Sequence, residues 1–350
     1  MSLARIARTL GLSVTTVSRA LAGYDDVAAG TRARVEAEAQ RIDYRPNLTA
    51  RRLRSGRAEA VGMILPVGPG QFDDPFFMRM LSAIGPALDA AGLDLLVTTA
   101  RPGADEMRAY RRMVESRKVD GILLARTRCH DERIAYLIDQ QFPFVAHGRS
   151  LEPRPFAFVD IDGEAACRAA TERLFGFGHT SIALINALPM YMFARHREAG
   201  WRAALGTPGA LREVEPSEET GFQAMQDLLA REAPTAVLCA TDRIAVGALH
   251  ALTHAGLRAG RDVSVIGYDD LPLATYTDPP LTTIAQPIER AARRLVEMLL
   301  ARIDGANPAT LQEVWPARLI ARQSDGPPPA MKTENTTRET HHETTHCPAP

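Results

Sequence analysis

From about residue 58 onward the chain alternates regularly between two kinds of segment, and this rhythm leaves few folds open. Short apolar runs rich in β-branched residues are followed by longer segments in which apolar residues recur with helical spacing. The short runs are 60–66, 93–99, 119–125, 142–148, 181–186, 235–241 and 262–270, and the helical segments include 76–91, 105–117, 163–176, 242–256 and 288–303. Such alternation predicts parallel sheets with helices on both faces, and ligands bind such sheets at the carboxyl ends of their strands.

Residues 1–44 show a different pattern, that of three short helices. Ser2 and Ser13 are suitable N-cap residues for the first two helices. Gly11 ends the first helix, and the third is expected from Thr31. The residues expected to form one small core are Leu3, Ile6, Ala7, Leu10, Val17, Ala20, Leu21, Val35, Ala39 and Ile42. Three short helices with a tight glycine turn between the first two are typical of a helix-turn-helix.

The second of these helices is a candidate for reading DNA, because the second helix of a helix-turn-helix enters the major groove. The candidate contact residues are Ser13, Val14, Thr15, Thr16, Ser18 and Arg19. Arginine can bind guanine through two hydrogen bonds, valine can contact a thymine methyl, and hydroxyls can bind phosphate or base. A small three-helix unit that only packs on the body is the alternative, since the pattern alone has many false positives.

The stretch YRPNLTARRLRSG, residues 44–56, is strongly basic and places Leu53 among arginines. If it folds into a helix on DNA, Leu53 can wedge between base steps of the minor groove. Arg51, Arg52 and Arg54 would then contact phosphate or the groove floor.

The charge of the chain is unevenly distributed. Residues 1–60 contain eleven arginines and six acidic residues, a net charge of +5, whereas the whole chain has a net charge of −1. A basic head on an acidic body indicates that only the head meets a polyanion, and a solvated helical surface rich in arginine is the alternative from charge alone.

Taken together, these motifs resemble the LacI/GalR family of transcription regulators. The matching stretches are IARTLGLSVTTVSRAL, YRPNLTARRLRSG, VGMILP, DPFF, VDGILL, GHTSIALI, the R-x-x-G-W of residues 197–201, TDRIAVGAL, DVSVIGYDD, PPLTTIAQP and RLIARQS. They occur in order over more than 300 residues and cover nearly everything before the tail. The resemblance implies an all-α helix-turn-helix head and an α/β body of two lobes joined by three crossovers, like the type I periplasmic sugar-binding proteins.

The domain boundaries follow from the resemblance and from composition. We expect a helix-turn-helix domain at 1–44, a hinge helix or linker at 45–57 and an effector-binding and dimerisation domain at 58–324. Its N-lobe would take about 58–160 and 287–313, and its C-lobe about 161–286 and 314–324. The tail from Ser324, taken as 325–350 in these boundaries, has almost no large apolar residue and is expected to be disordered.

The resemblance also implies partners and site residues. It implies a homodimer or tetramer on a near-palindromic double-stranded DNA operator. Val14, Thr15 and Arg19 occupy the family's principal base-reading positions, and Leu53 occupies that of the intercalating leucine. The stretches FDDPFF and VAHGRS are similar to the subgroup that responds to plant- or starch-derived oligosaccharides such as α-glucosides.

A sugar effector would bind between the lobes. The family's cleft positions correspond here to Phe76, Phe77, Arg149, Arg197, Thr241, Asp242, Asp269 and Gln286. Each has another interpretation: either phenylalanine could be core, and two in succession cannot both face inward. Arg197 and Asp269 could form an ion pair that holds the lobes together, and Asp242 could be an N-cap.

The sequence lacks the motifs of several other protein classes. The sequence has no GxSxG, HExxH, P-loop or clustered-carboxylate motif, so we expect no catalysis, cofactor or metal. Its four cysteines form no CxxC pair, which fits reduced thiols in a cytosol. Without a basic start followed by an apolar segment, or an apolar run near the ~20 residues that span a bilayer, secretion and membrane insertion are disfavoured.

Two alternatives stay open at this point. The body alone would look the same in a solute-binding protein of a sugar transporter, although such a protein would need a signal peptide where this chain has a basic head. A regulator whose effector acts as a corepressor, or is not a sugar, would use the same parts.

Overall fold

The computed structural model describes residues 3–21, 23–44, 56–67 and 74–329. The head consists of helices α1 (Leu3–Leu10), α2 (Val14–Leu21) and α3 (Ala29–Arg41), the last beginning two residues before the predicted start. Gly11 ends α1 with a left-handed φ of 65°. The Ser13 hydroxyl caps α2 by accepting a hydrogen bond from the Thr16 amide at 3.0 Å, as predicted, whereas Ser2 lies outside the described residues.

The three helices of the head enclose a small core. Its fully or nearly fully buried members are Ile6, Ala7, Val17, Ala20, Val27, Val35, Ala39 and Ile42. The helical spacing of apolar residues in the sequence therefore identified this core correctly, apart from Val27 in the turn before α3. The polar face of α2 is left outside it.

The body contains two six-stranded sheets, each with helices on both faces. The N-lobe sheet has the order β11-β5-β4-β3-β1-β2 and the C-lobe sheet the order β12-β10-β9-β8-β6-β7. N-lobe strands are β1 (Ala60–Pro66), β2 (Asp94–Ala100), β3 (Gly121–Leu124), β4 (Phe144–His147), β5 (Ala157–Ile161) and β11 (Gln312–Trp315). C-lobe strands are β6 (Ile182–Ala187), β7 (Leu211–Val214), β8 (Ala236–Cys239), β9 (Ser264–Asp269), β10 (Thr282–Ala285) and β12 (Arg318–Ile320). Among these strands only β12 pairs antiparallel, against β10.

The helices of the body are divided between the lobes. Those of the N-lobe are α4 (Pro75–Asp89), α5 (Ala104–Glu115), α6 (Glu132–Asp139) and α11 (Ile288–Ile303). Those of the C-lobe are α7 (Gly163–Gly176), α8 (Met192–Leu205), α9 (Glu218–Arg231) and α10 (Asp242–His254). Short 3-10 helices lie at Pro272–Thr275 and Pro308–Thr310.

Successive side chains of each strand point to opposite faces of the sheet, and in both lobes each face packs against helices. In β1, Val61 and Met63 pack under α4 and α11, whereas Ala60 and Ile64 face α5 and α6. In β6, alternate residues likewise divide between the helix pair α9 and α10 and the helix pair α7 and α8. Both faces of a parallel strand are therefore apolar, which is why these runs are continuously hydrophobic in the sequence.

The chain crosses between the lobes three times: after β5, after β10, and between β11 and β12. These crossovers hold the carboxyl ends of the two sets of parallel strands against each other. The prediction of a helix-turn-helix head with a two-lobed α/β body is thus confirmed. Within the described ranges no helix is both long enough and apolar enough to cross a membrane.

The prediction that the tail is disordered from Ser324 is wrong for residues 324–329. Ser324 is fully buried, accepts a hydrogen bond from the Thr282 amide at 2.8 Å and donates one to the Val265 carbonyl at 2.6 Å. The Asp325 carboxylate lies 2.7 Å from the Arg173 guanidinium. Polar contacts rather than apolar burial hold this segment, so its low hydrophobicity was misleading; residues 330–350 lie outside the described part.

Two glycines let α9 and α10 cross closely. A Cβ on Gly247 would lie 2.0 Å from the Glu218 carbonyl oxygen, and one on Gly221 would lie 2.3 Å from the Ile244 carbonyl oxygen. Both obstacles are backbone atoms, which cannot rotate away.

We expect Gly247→Ala to lower the free energy of unfolding by about 1–3 kcal/mol, because the added methyl forces the helices apart. Urea denaturation of the variant and the parent measures this loss. The matched control is Gly176→Ala, at a helical position with no atom within 4 Å, where stability should be unchanged or rise slightly. Equal stability of Gly247→Ala and the parent would contradict the close crossing.

Candidate functional site

A cleft lies between the lobes where the carboxyl ends of the two sheets face each other. It encloses about 770 Å³ of empty space, counted out to its open mouth. It is lined by Asp74, Phe76, Arg126, Thr127, His147, Gly148, Asp160, Ile161, Gly163, Phe193, His196, Arg197, Pro216, Thr241, Arg243, Tyr268, Asp269 and Gln286. Both lobes and two of the three crossovers contribute, so a ligand here would contact both lobes.

Asp269 ends β9 and points its carboxylate into the cleft. Its φ of 115° and that of 50° at Asp270 are both left-handed, which is strained for residues with a side chain. Gln286, in the second crossover, donates a hydrogen bond from Nε2 to Asp269 Oδ1 at 2.5 Å. Burial raises the pKa of the Asp269 carboxyl to about 7, although the Arg197 guanidinium, whose Nη2 lies 3.9 Å from Oδ1, opposes this shift.

Helix α8 presents three residues on one face toward the cleft: Phe193, His196 and Arg197. The Arg197 guanidinium lies 3.5 Å from the centre of the Tyr268 ring and 4.7 Å from that of Phe193. It donates one hydrogen bond to the Ala240 carbonyl. Among the described residues, neither Arg197 Nε nor the Tyr268 hydroxyl has a hydrogen-bond partner, although both atoms are buried. Buried polar atoms are normally paired, so these two are candidates for ligand contacts.

The N-lobe wall is built at the start of α4. Asp74 caps this helix, with Oδ1 accepting from the Phe76 amide at 3.0 Å, while its Oδ2 lies 2.6 Å from Arg126 Nη2. The half-buried Phe76 ring lies 5.6 Å from the His147 ring and forms an aromatic surface on the cleft. Phe77, predicted as a second cleft residue, is 4% exposed and packs in the N-lobe core instead. Consecutive helical residues point about 100° apart, so only one phenylalanine reaches the cleft.

Two further predicted residues do not line the cleft. Arg149 lies behind the wall, with Nε 2.6 Å from Asp160 Oδ2 and Nη2 3.3 Å from His196 Nδ1. Asp242 is fully buried at the start of α10, where it accepts hydrogen bonds from the Leu271 amide and the Thr283 hydroxyl. Both side chains position cleft-forming segments from outside.

The other five predicted residues, Phe76, Arg197, Thr241, Asp269 and Gln286, are brought together in the cleft. Thr241 also caps α10, its hydroxyl accepting from the Ile244 amide at 3.2 Å, so the N-cap expected at Asp242 is one residue earlier. Polar and aromatic cleft residues that the sequence did not single out are Asp74, Arg126, His147, Asp160, Phe193, His196, Arg243 and Tyr268. Several of them lie at or just after the carboxyl ends of strands, where ligands bind parallel sheets, so their positions in the sequence could have identified them.

The cleft histidines are held neutral. Burial lowers the pKa of His147, and burial together with the Arg149 charge lowers that of His196. Because Arg149 donates to His196 Nδ1, this nitrogen accepts and Nε2 carries the proton. The cleft therefore offers aromatic faces with hydrogen-bond donors and acceptors of several kinds, which suits a ligand with many hydroxyl groups.

A backbone bridge joins the lobes beside the cleft. The Cys129 amide donates to the Met190 carbonyl at 2.8 Å, and the Met192 amide donates to the Thr127 carbonyl at 3.0 Å. The cleft is thus held by main-chain contacts as well as by the crossovers.

The second candidate site is the outer surface of α2 in the head. Val14 is 47% exposed, Thr15 and Arg19 are exposed, and Thr16 and Ser18 are half-buried. These residues form a surface of methyl, hydroxyl and guanidinium groups. The other predicted DNA contacts, Arg51, Leu53 and Arg54, lie outside the described residues.

Two buried carboxyls predict how stability depends on pH. Burial, reinforced by the Asp269 charge, raises the pKa of Asp242 to about 8, and burial raises that of Asp269 to about 7. Each folded-state pKa exceeds the unfolded value of about 3.9. At pH values between the two, the folded chain therefore binds more protons than the unfolded chain. Ionising these groups therefore destabilises the fold as the pH rises from about 4 to about 8, by at most about 1.4 kcal/mol per pH unit for each group.

We expect Asp242→Asn to weaken this decline, because the asparagine oxygen can accept from the Leu271 amide and its NH2 can donate to the Thr283 hydroxyl, and neither group ionises. Urea denaturation between pH 5 and pH 8 measures the free energy of unfolding of the variant and the parent. In the difference between the two, the contributions of the other titrating groups cancel. Glu172→Gln, an exposed change on α7, is the control and should follow the parent curve. Parallel curves for Asp242→Asn and the parent would contradict the raised pKa.

Comparison with known proteins agrees with the fold of the head and of the body. The profile described as "Bacterial regulatory proteins, lacI family" matches residues 2–47, and that of a "Periplasmic binding protein-like domain" matches residues 171–324. The HTH-type transcriptional regulator RafR of Escherichia coli is 39% identical over 322 residues, covering 90% of this chain and 96% of RafR.

Two solved structures extend this similarity over the fold. The lac repressor dimer bound to operator and the anti-inducer ONPF aligns with a TM-score of 0.82 at 28% identity, covering 93% of this chain and 99% of that chain. The complex of the transcriptional regulator CelR with cellobiose aligns with a TM-score of 0.72 at 30% identity, with the same coverage of 93% and 99%. On this evidence the chain belongs to the LacI family of bacterial transcriptional regulators.

Proposed function

We propose that this protein binds an operator through its helix-turn-helix head and that a sugar in the inter-lobe cleft controls the operator affinity. The observation that carries the proposal is the pair Asp269 and Arg197, buried at 5% and 6% exposure and directed into a cleft shared by both lobes. A buried carboxylate and guanidinium that are 3.9 Å apart have hydrogen-bonding capacity left for a third group.

The chemistry of the cleft favours a sugar. A pyranose has apolar C–H faces that stack on aromatic rings, which Phe76 offers on the N-lobe side and Phe193 on the C-lobe side. Its hydroxyls both donate and accept, and so match the carboxylate of Asp269, the guanidinium of Arg197 and the amide of Gln286. The structure of a relative with cellobiose supports this class of ligand.

The surface of the head favours DNA. A helix capped by Ser13 presents Val14, Thr15 and Arg19 to solvent, and these side chains can contact thymine methyls, phosphates and guanine. The relative solved as a dimer on its operator supports a two-fold protein on a near-palindromic site. We therefore propose a homodimer, with Arg51, Leu53 and Arg54 of the hinge as further DNA contacts.

Control of affinity would follow from the position of the cleft. A ligand that contacts both lobes favours one arrangement of the lobes over others, by as much as its affinities for them differ. Arg79 of α4 already links the lobes, since its Nη1 donates to the Asp270 carbonyl of the C-lobe at 2.9 Å. Glu289 of the N-lobe holds the same guanidinium, 2.7 Å from its Nε. In this proposal the sugar lowers the operator affinity and so releases the repressor from DNA. A corepressor would bind the same cleft but raise the operator affinity.

We expect one class among α-glucosides, β-glucosides, galactosides and free hexoses to raise the melting temperature of the full chain. Binding to the folded state at 100 times Kd adds about 2.7 kcal/mol of stability. Asp269→Asn should lose most of this shift, because one of the two acceptor oxygens becomes an NH2 donor and the charge is removed. The variant should still bind DNA. The control Glu172→Gln should keep the full shift in melting temperature. If sugar still releases the Asp269→Asn variant from DNA, this role of Asp269 is refuted.

The full chain is first used to select DNA from a random pool. Deleting residues 1–57 should abolish the shift in electrophoretic mobility of that DNA. The truncated chain should keep its thermal shift with the same sugar, which shows that the body is intact. Retardation of the same DNA by the truncated chain would assign DNA binding elsewhere. Sugar binding without any DNA binding by the full chain would favour a solute-binding protein.

A further inference from the structure

We propose that Asp26 is a positioning residue for DNA recognition, which holds the Arg19 side chain so that the outer edge of its guanidinium points at a guanine. This inference rests on the proposed function, because it takes α2 as the element that reads DNA. It adds a residue that lies outside α2, in the turn before α3.

The geometry is that of a two-point clamp. Arg19 Nε donates to Asp26 Oδ1 at 3.2 Å, and Arg19 Nη2 donates to Asp26 Oδ2. The carboxylate therefore occupies the side edge of the guanidinium. Nη1 and the second N–H of Nη2 form the end edge, and among the described residues no hydrogen bond engages Nη1.

Tyr24 fixes the plane of the same group. The guanidinium carbon of Arg19 lies 4.7 Å from the centre of the Tyr24 ring, within the range of a cation–π contact. The carboxylate and the ring together restrict a side chain that otherwise has four rotatable bonds. An arginine ordered before it meets DNA loses less conformational freedom on binding.

The turn that carries Asp26 is anchored on both sides. Val27 is 8% exposed and packs in the core of the head, and its amide donates to the Tyr24 carbonyl at 3.2 Å. The Tyr24 amide donates to the Arg19 carbonyl at 3.1 Å, and Arg32 of α3 donates to the Tyr24 carbonyl at 2.7 Å. The turn that carries Asp26 is therefore held to α2 by main-chain hydrogen bonds and to α3 by the Arg32 side chain, so that Asp26 can direct Arg19.

The charges indicate why this contact concerns recognition and not stability. The side chains of Arg19 and Asp26 are 44% and 56% exposed, and pairs this exposed stabilise a fold little. A carboxylate beside the reading helix also repels phosphate, which lowers affinity for any DNA sequence. Orientation offsets that repulsion only at the correct base: guanine presents O6 and N7, two acceptors that match the two donors of the free end edge.

The experiment uses the full chain and DNA selected from a random pool with two-fold symmetric half-sites. The position at which Arg19→Ala loses a selected guanine defines the contacted base. Affinity is then compared for guanine and adenine at that position. We expect the parent to discriminate by about 5- to 150-fold, which is the range for a bidentate arginine–guanine contact.

Asp26→Asn should reduce this discrimination to less than a third of the parental ratio. The matched control is Asp25→Asn, because Asp25 is an exposed acid in the same turn that makes no described contact with Arg19. Both variants remove one negative charge and should raise affinity for unrelated DNA equally, but only Asp26→Asn should relax the preference for guanine. Asp26→Glu, which keeps a carboxylate, should recover part of the preference, and circular dichroism checks that the head stays folded.

Equal discrimination in Asp26→Asn and Asp25→Asn would overturn the inference, as would a guanine preference that survives Arg19→Ala. Both results would leave the proposed function standing. Failure of the parent to retard any selected DNA would instead refute the proposed function itself.

Discussion

Asp269 carries a buried carboxylate, its side chain 8% exposed, and much of the arrangement around the cleft follows from accommodating it. Burying a charge is costly unless partners compensate it, and here they do so only in part. Gln286 gives one hydrogen bond, and Arg197 remains 3.9 Å away. Neither of these contacts uses Oδ2. The left-handed backbone at Asp269 adds strain, which is typical of residues held in place for binding.

The partners of Asp269 come from separate parts of the chain. Arg197 is held by the Tyr268 ring and the Ala240 carbonyl, and Gln286 sits in a crossover. Behind the wall, Arg149 fixes Asp160 and His196. A ligand that completes the hydrogen bonding of Asp269 would therefore bear on both lobes at once. This convergence makes the cleft a better switch than a pocket confined to one lobe.

The fold was largely predictable because its signals are local and repeated. The seven apolar runs each contain a strand, and all of these strands except β2 are almost wholly buried, since strands covered on both faces must be apolar throughout. The runs missed β5, β7, β10, β11 and β12, of which β11 and β12 are short and partly exposed. Ser324 and Asp325 were misjudged for a related reason, because hydrogen bonds and an ion pair hold them and leave no apolar pattern.

The cleft was only partly predictable because side-chain direction depends on tertiary geometry. Phe76 and Phe77 are equivalent in the sequence, yet the rotation of α4 sends one to the cleft and the other to the core. Arg149 and Asp242 are close to the cleft along the chain but are engaged by neighbours behind it. Tyr268 was missed because a tyrosine inside an apolar strand normally signals core. What distinguishes it is a buried hydroxyl without a hydrogen-bond partner in the part of the chain that the structure describes.

The three crossovers also determine the order in which the lobes can be completed during synthesis. The strands β6 to β10 of the C-lobe are consecutive, whereas the N-lobe needs α11 and β11, which follow them. Helix α11 contributes Ala291, Leu295 and Leu299 to the main N-lobe core. Until these residues leave the ribosome, one face of the first-made sheet is covered only in part, by α4. The lobe translated first is therefore finished late, and the nascent chain must keep an apolar surface from aggregating while the rest is made.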